Sequence, residues 1–436
     1  MMTQKFNIAN NHPEKFKINL AGLAALLCGA TNDIVFNVVG EFYLSELLVV
    51  LLALIFTLLK SSKGVSNTRV FWAFVLVGWI TLLGYMLSDI YVGTEPAQYF
   101  KGWGRVIILM SDCVAIMILA IYNRQMLWWF MLGTGLGGII FLYLTGVPFN
   151  VWKLGYGERF AMVFLTLLAL LPKRSWPILL VGYGIFNIWL DYRNLGAAII
   201  VVAAIIWAGA KRPDKRLISL IVYSVVALIA GLVTVNLTQD EFKVRRVDSN
   251  IGRSAAIIVS LHAISDSPFI GYGSWTINAK YAEELREKIE EKRKQVEYSD
   301  EFTHLYTGNS FQAHSQILQA WIEGGLLGAM FFIFYGYKLL QTALWCALRR
   351  RMDEYSPVFL FILIMGLWNL VASPFLGFER IQIAMAVGVI VAIAIERKRT
   401  EAVKTPSSNI LDAASVESLS NLPLSDKNKN SLHYLK

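Results

Sequence analysis

The sequence predicts an all-α polytopic membrane protein with about twelve transmembrane helices. Three observations carry this prediction: 56% of the 436 residues are hydrophobic, only 16% are charged, and long apolar runs recur from residue 18 to residue 396. A soluble domain has about 25% charged residues. Runs of about 20 apolar residues favour membrane-spanning helices, which satisfy their own backbone hydrogen bonds inside the bilayer.

The predicted spans are apolar segments separated by polar connections. They lie near residues 18–39, 44–59, 70–88, 106–121, 127–146, 158–171, 177–190, 194–209, 217–237, 315–346, 357–373 and 381–396. The first segment has no clear small-residue cleavage site, so we expect it to stay as a span rather than to act as a cleaved signal peptide.

The distribution of basic residues predicts the orientation of the chain. The net charge is +9, and Lys and Arg concentrate in alternate connections, which face the cytoplasm if the N-terminus is inside. We therefore expect both termini to be cytoplasmic, and we expect no nucleic-acid partner. The predicted regions are a cytoplasmic N-terminal tail 1–17, helices 18–237, a large outer loop 238–313, helices 314–396 and a disordered cytoplasmic tail 397–436.

The large outer loop is not a basic patch, because it carries ten basic and twelve acidic residues. Residues 280–298 have a helix-forming composition with dense mixed charge. Two interpretations of this helix remain open: a solvated surface helix, or a lid over a site.

Three arginines on the outer side are candidate anion ligands. Arg159 and Arg193 lie at the outer ends of unusually short predicted spans, and Arg253 lies in the large loop. A short span can be completed by sinking its polar end into a protein-lined cavity. The guanidinium fork binds two oxygens at once, so convergent arginines would suit a diphosphate. The alternative is that each arginine contacts lipid phosphates or pairs locally at a helix end.

The segment AHSQILQAWIEGGLLG places ionisable groups at the start of an apolar helix. His314 is a candidate for proton transfer near neutral pH, with helix capping as the alternative role. We expect Glu323 to face the bundle, where a cation or hydroxyl can satisfy it. Gly271 and Gly273, just before this helix in the loop, permit close backbone approach or unusual dihedral angles. The sequence has no glycine-rich nucleotide loop and no CxxC or HExxH motif, so we expect no cofactor and no metal.

The order of these motifs resembles the O-antigen ligase and O-antigen polymerase superfamily. Its members have an arginine before a D-x-P-x-x-G-x-G segment, and a His-Ser or His-Asn pair that begins a helix with an E-x-G-x-x-G pattern. The matching positions here are Arg159, Arg193, Arg253, residues 266–273, His314, Ser315 and residues 323–328. Tyr192 stands where the family usually has a small residue before its second arginine.

The resemblance implies a GT-C-like helical fold that works without a metal. It also implies that the chain lies in the bacterial inner membrane, with the loop 238–313 in the periplasm. Family members move a glycan from undecaprenyl diphosphate to lipid A core, to a growing glycan or to a protein hydroxyl. It also implies that the arginines hold the diphosphate and that His314 takes the proton of the acceptor hydroxyl. A single large outer loop favours a ligase over a polymerase. A transporter or flippase is a further alternative, although the ionisable groups gather on one side and no repeat is visible.

Overall fold

The computed structural model describes residues 19–37, 40–59, 68–211, 214–223, 225, 240–276, 278–294, 311 and 313–404. Residues up to Ile393 form one compact unit, and residues 394–436 form a second unit that is helical as far as it is described. The predicted N-terminal tail, most of the predicted span 217–237 and residues 405–436 lie outside the described residues.

Among the described residues, four helices are long and apolar enough to cross a membrane. They are α3 (Arg69–Val92), α4 (Pro96–Tyr122), α5 (Gln125–Leu144) and α11 (Gln316–Leu348). Shorter apolar helices accompany them, namely α1 (Leu20–Ala30), α2 (Leu44–Leu59), α7 (Trp176–Trp189), α8 (Arg193–Gly209) and α12 (Ser356–Ala372). The protein is therefore an all-α membrane protein, as the composition predicts.

The remaining elements complete the bundle and the large loop, which we continue to call the outer loop after its predicted side of the membrane. They are a π-helical turn Trp152–Tyr156, α6 (Gly157–Leu167), a 3-10 turn Leu168–Leu170, α9 (Asp240–Asp266), α10 (Ala279–Lys294) and α13 (Glu379–Lys404). The predicted loop helix is thus confirmed through Lys294. Helix α13 continues past the predicted start of the tail at residue 397, where Arg397 and Glu401 form an ion pair one turn apart (2.8 Å).

The first predicted span, 18–39, is wrong at its C-terminal end. Helix α1 ends at Ala30, and strands β1 (Val35–Asn37) and β2 (Glu41–Tyr43) form an antiparallel hairpin instead. The hairpin is held from α13, because Arg380 Nη2 donates to the Glu41 carbonyl at 2.7 Å and Arg380 Nε donates to Glu46 at 2.7 Å. Because Arg380 holds the hairpin from a distant part of the chain, residues 35–37 form a strand and do not continue helix α1.

Helices α3 and α11 approach each other closely through small residues. A Cβ on Gly84 would collide with the backbone nitrogen of Gly328, and one on Gly324 would lie 2.9 Å from the Tyr85 ring. Gly324 and Gly328 thus allow the two helices to pack closely. Such small-residue contacts let membrane helices gain van der Waals packing, and here they bring α3 against the part of α11 that carries Glu323.

Candidate functional site

Helix α11 is broken at Gly325, and the outer loop fills the break. Gly325 has φ 63° and ψ −162°, which interrupts the helical hydrogen bonds around it. The backbone N–H of Tyr272 donates to the Ile322 carbonyl at 2.8 Å, and that of Gly273 donates to the Glu323 carbonyl at 3.0 Å. Loop amides therefore satisfy the carbonyls that the break exposes, as a backbone at membrane depth requires.

Gly271 and Gly273 are needed for this docking, which confirms the predicted role of both glycines. Their φ angles are 82° and 80°, in the left-handed region that side chains disfavour. A Cβ on Gly271 would lie 2.6 Å from the Ile322 carbonyl oxygen, and one on Gly273 would collide with the Thr94 hydroxyl.

A set of side chains that we call the buried charge cluster lies directly below the docked loop. It consists of Glu323, Arg105, Tyr85 and Gln319. Arg105 forms an ion pair with Glu323, and Tyr85 and Gln319 donate to the same carboxylate at 2.8 and 2.9 Å. Glu323 is fully buried. The prediction that Glu323 faces the bundle and meets a cation and a hydroxyl is confirmed.

The predicted span 106–121 left Arg105 in the short connection before it, and this was wrong. Arg105 lies inside α4, 4% exposed, with its guanidinium 4.6 Å from the Trp275 ring centroid and 4.7 Å from that of Phe375. A lone arginine on an apolar helix was a signal for a buried partner. The partner, 218 positions away in the chain, could not be identified from spacing.

Two further loop anchors were missed by sequence reasoning because each is a single polar residue near the end of α3. Ser88 donates to the Glu323 carbonyl at 2.7 Å and accepts from the Gly273 N–H at 2.9 Å. Asp89 accepts from the Ser274 N–H and hydroxyl at 2.6 and 2.7 Å. Both residues tie the loop to the membrane helices.

His314 and Arg253, which we call the outer pair, are brought together at the start of α11. Both side chains are partly exposed. Neither makes a hydrogen bond within the described part of the chain, although the two interact electrostatically. Burial lowers the pKa of His314 below its ordinary value, and the positive charge of Arg253 lowers it further. The imidazole is therefore held in its neutral, proton-accepting form.

The N-cap of α11 is Ser315, so the alternative that His314 caps this helix is wrong. The Ser315 hydroxyl accepts from the Leu318 N–H at 3.4 Å and donates to the Leu370 carbonyl at 3.0 Å. Because the neighbouring serine occupies the capping position, the imidazole is free of that role.

Arg159 lines a cavity between the helices. Its guanidinium donates to Asp33 at 2.5 Å, so its charge already has a partner. Glu158 lines the same cavity and accepts from Gln382 at 2.9 Å. The other lining is largely apolar, with Phe130, Met131, Phe361 and Met365 among the side chains. The cavity therefore combines a polar wall with an apolar one, which suits an amphipathic ligand.

Arg193 begins α8 and lies next to a buried carboxylate. Its Nε atom is 3.8 Å from Asp191 Oδ1, and Lys153 Nζ is 4.0 Å from the other carboxylate oxygen. Arg193 does not line the cavity, whereas its neighbour Tyr192 interacts with the charges of Glu158 and Arg159. Arg159 and Arg193 are thus neighbours through Tyr192, each with a local acid.

Polar side chains of α13 contact both the start of α11 and the cavity wall. Gln316, two residues after His314, donates to Glu379 at 2.8 Å. One turn further along α13, Gln382 accepts from Asn369 at 3.0 Å while donating to Glu158. No group of three or more His, Cys, Asp or Glu side chains suited to a metal ion occurs in the described ranges.

The comparisons with known proteins agree with this picture. The family model described as O-antigen ligase matches residues 104–333, more than half of the chain and a range that contains every predicted site residue. No curated protein matches the chain significantly. The motif order, the membrane helices and the family match all lead to one assignment: the chain belongs to the O-antigen ligase family, whose members act in glycan biosynthesis.

Proposed function

We propose that this protein transfers a glycan from an undecaprenyl-diphosphate carrier to an acceptor hydroxyl, as an O-antigen ligase does. Lipid A core is the proposed acceptor, and a growing glycan is the acceptor if the enzyme is a polymerase. The outer pair is the observation that carries the proposal. A neutral imidazole and a cationic guanidinium, both without hydrogen-bond partners among the described residues, lie together at one end of the bundle.

In the proposed step, His314 takes the proton of the acceptor hydroxyl while the acceptor oxygen attacks the anomeric carbon. The bond between that carbon and the diphosphate oxygen breaks, and the electron pair leaves with the lipid diphosphate. Arg253 stabilises the negative charge that develops on the leaving group, which a metal does in other transferases. The proposal therefore assigns no metal and no cofactor.

Arg159 and Arg193 are the further proposed diphosphate ligands. Each has a nearby acid, Asp33 at 2.5 Å and Asp191 at 3.8 Å, so binding an anion requires these arginines to exchange or share partners. The Arg193 contact with its acid is the longer of the two. Glu323, Gly271 and Gly273 support the site by holding the loop that follows Arg253.

The proposed setting is the periplasmic face of the bacterial inner membrane, with both termini in the cytoplasm, about twelve spans and a GT-C-like arrangement. A cysteine at Glu290 should then react with a membrane-impermeant thiol reagent in cells with a permeabilised outer membrane, and one at Asp214 should not. The reverse labelling pattern would contradict both the orientation and the site assignment.

Deletion of the gene tests the chemistry, with surface polysaccharide and lipid-linked glycan analysed on gels. Full-length polymer left on the lipid carrier identifies a ligase, and single repeat units identify a polymerase. Unchanged surface polysaccharide would contradict both, and donor trapped on the cytoplasmic leaflet would identify a transporter instead. Expression of the intact gene in the deletion strain is the control.

A further inference from the structure

The outer-loop helix α9 has apolar side chains on two faces. One face packs against α10 and α11 through Ala255, Val259 and Ala263, all fully buried. On another face Ile258 is 43% exposed and Leu261 is 54% exposed. Phe269, in the turn after the helix, is 71% exposed. A helix surrounded by water is expected to carry polar residues on its second face.

The neighbouring helix α10 has the pattern expected in water. Tyr281, Leu285 and Ile289 face the shared apolar cluster, and the exposed positions are charged, including Glu287 and Glu291. The two helices thus form two layers, with charges on the outer surface of α10 and apolar side chains on the free surface of α9. This asymmetry is typical of a helix pair that has water on one side and lipid on the other.

The depth of the turn after α9 is given by its contacts with α11. The Pro268 carbonyl accepts from Trp321 Nε1 at 2.8 Å and from the Leu326 N–H at 3.1 Å. About 20 residues cross the hydrocarbon core, and counting back that number from Arg349, the first of three consecutive arginines, reaches Ala329. Leu326 is therefore within about one helical turn of the outer hydrocarbon boundary.

The exposed apolar side chains continue the lipid-facing surface of α11. Leu327, one residue beyond the docked turn, is 40% exposed on that helix. Phe269 and Ile270 are exposed beside it, in the turn whose carbonyls and amides bond to residues 321–326. One apolar surface thus runs from a membrane span onto the outer loop.

We propose that the face formed by Ile257, Ile258, Leu261, Phe269 and Ile270 inserts into the outer leaflet, so that the C-terminal half of α9 lies at the lipid interface. Interfacial helices bury their apolar faces about 5–10 Å into the headgroup–acyl boundary. Arg253 lies one turn before Ile257 on the same helix, which places it at headgroup level. This membrane contact is independent of the proposed chemistry.

Site-directed spin labelling tests the inserted face. The three native cysteines, all buried, are first replaced by alanine. Single cysteines then replace Ile258 and Phe269, with Leu327 as the lipid-facing control and Glu287 on α10 as the water-facing control. Each labelled protein is reconstituted into phosphatidylethanolamine–phosphatidylglycerol vesicles, and collision rates are measured with oxygen, which partitions into lipid, and with a water-soluble nickel chelate.

The expected result is a higher oxygen-to-nickel collision ratio at positions 258 and 269 than at 287, matching the ratio at 327. A ratio at 258 and 269 equal to that at 287 would place the face in water and overturn the proposal. Low collision rates with both reagents would mean that protein covers the face, from another segment of the chain or a second copy, and would also overturn it. A position that fails to fold is replaced by Leu261, which lies on the same face.

Discussion

Glu323 of the buried charge cluster and His314 of the outer pair are nine residues apart in the chain, and their hydrogen bonding is opposite. Glu323 receives donors on both carboxylate oxygens, from Arg105, Tyr85, Gln319 and the Trp275 N–H. His314 and Arg253 have no hydrogen-bond partner in the described ranges. A buried charge whose hydrogen bonds are all made within the fold stabilises the structure. A partly exposed group without hydrogen-bond partners can instead bind a ligand. On the proposed function, this difference distinguishes residues that stabilise the fold from residues that carry out the chemistry.

The largest expected effect is loss of the folded protein on removing Glu323. Glu323→Ala leaves Arg105 buried without its counter-charge, which typically costs about 3–5 kcal/mol. The measurement is the amount of protein in the membrane and its thermal unfolding in detergent. Glu283→Ala, which breaks an exposed ion pair with Arg286 on α10, is the control and should change neither. Normal stability of Glu323→Ala would show that the cluster is not a structural anchor.

For the outer pair we expect the opposite result, which is loss of transfer activity without loss of stability. His314→Asn should leave the unfolding temperature unchanged and lower transfer by about 10²–10⁴-fold, the usual contribution of a general base. Transfer is measured with purified enzyme, lipid-linked glycan and acceptor, alongside binding of the donor. Intact donor binding with lost turnover supports the base, and near-normal turnover would rule it out.

The pH dependence of kcat/KM tests whether the charge of Arg253 affects the protonation of His314. Because the pKa of His314 is lowered, kcat/KM should rise with pH through a midpoint below about 6.5, the ordinary histidine value, and then level off. Arg253→Gln removes a positive charge that disfavours the protonated imidazole, so the midpoint should move upward. Arg253→Lys keeps the charge and should keep the midpoint, even where transfer falls. An unchanged midpoint in Arg253→Gln would show that the two groups do not interact.

The smallest expected effect belongs to the residue next to His314. Ser315→Ala removes the N-cap of α11 and should cost about 1 kcal/mol of stability. Transfer per folded molecule should fall much less than in His314→Asn. Thermal unfolding and turnover of the two variants, measured side by side, check this. A larger loss of turnover in Ser315→Ala would mean that positioning of the helix start, rather than the imidazole, dominates the effect.

Much of the candidate site could be predicted from the sequence because its signals are local. The D-x-P-x-x-G-x-G segment predicted unusual backbone at Gly271 and Gly273, and the apolar setting of Glu323 predicted an inward-facing charge. The first span was misjudged because the apolar residues that follow the polar Thr31, Asn32 and Asp33 were assigned to the span, whereas they belong to the hairpin that begins at Val35. Its anchor, Arg380, lies more than 300 residues away. No local signal carries that information.

The sequence by itself determined that the chain is a helical membrane protein. It also determined which motifs the chain carries and their order. Both follow from the sequence because hydropathy and motif spacing are properties of neighbouring residues. Only the tertiary structure decided which charges are satisfied. It paired Arg105 with Glu323, gave Arg159 and Arg193 nearby acids, and left His314 beside Arg253 without hydrogen bonds among the described residues. The physical reason is that a charge in a membrane protein is stabilised by whichever partner the folded helices bring within hydrogen-bonding distance, and that distance is independent of separation along the chain.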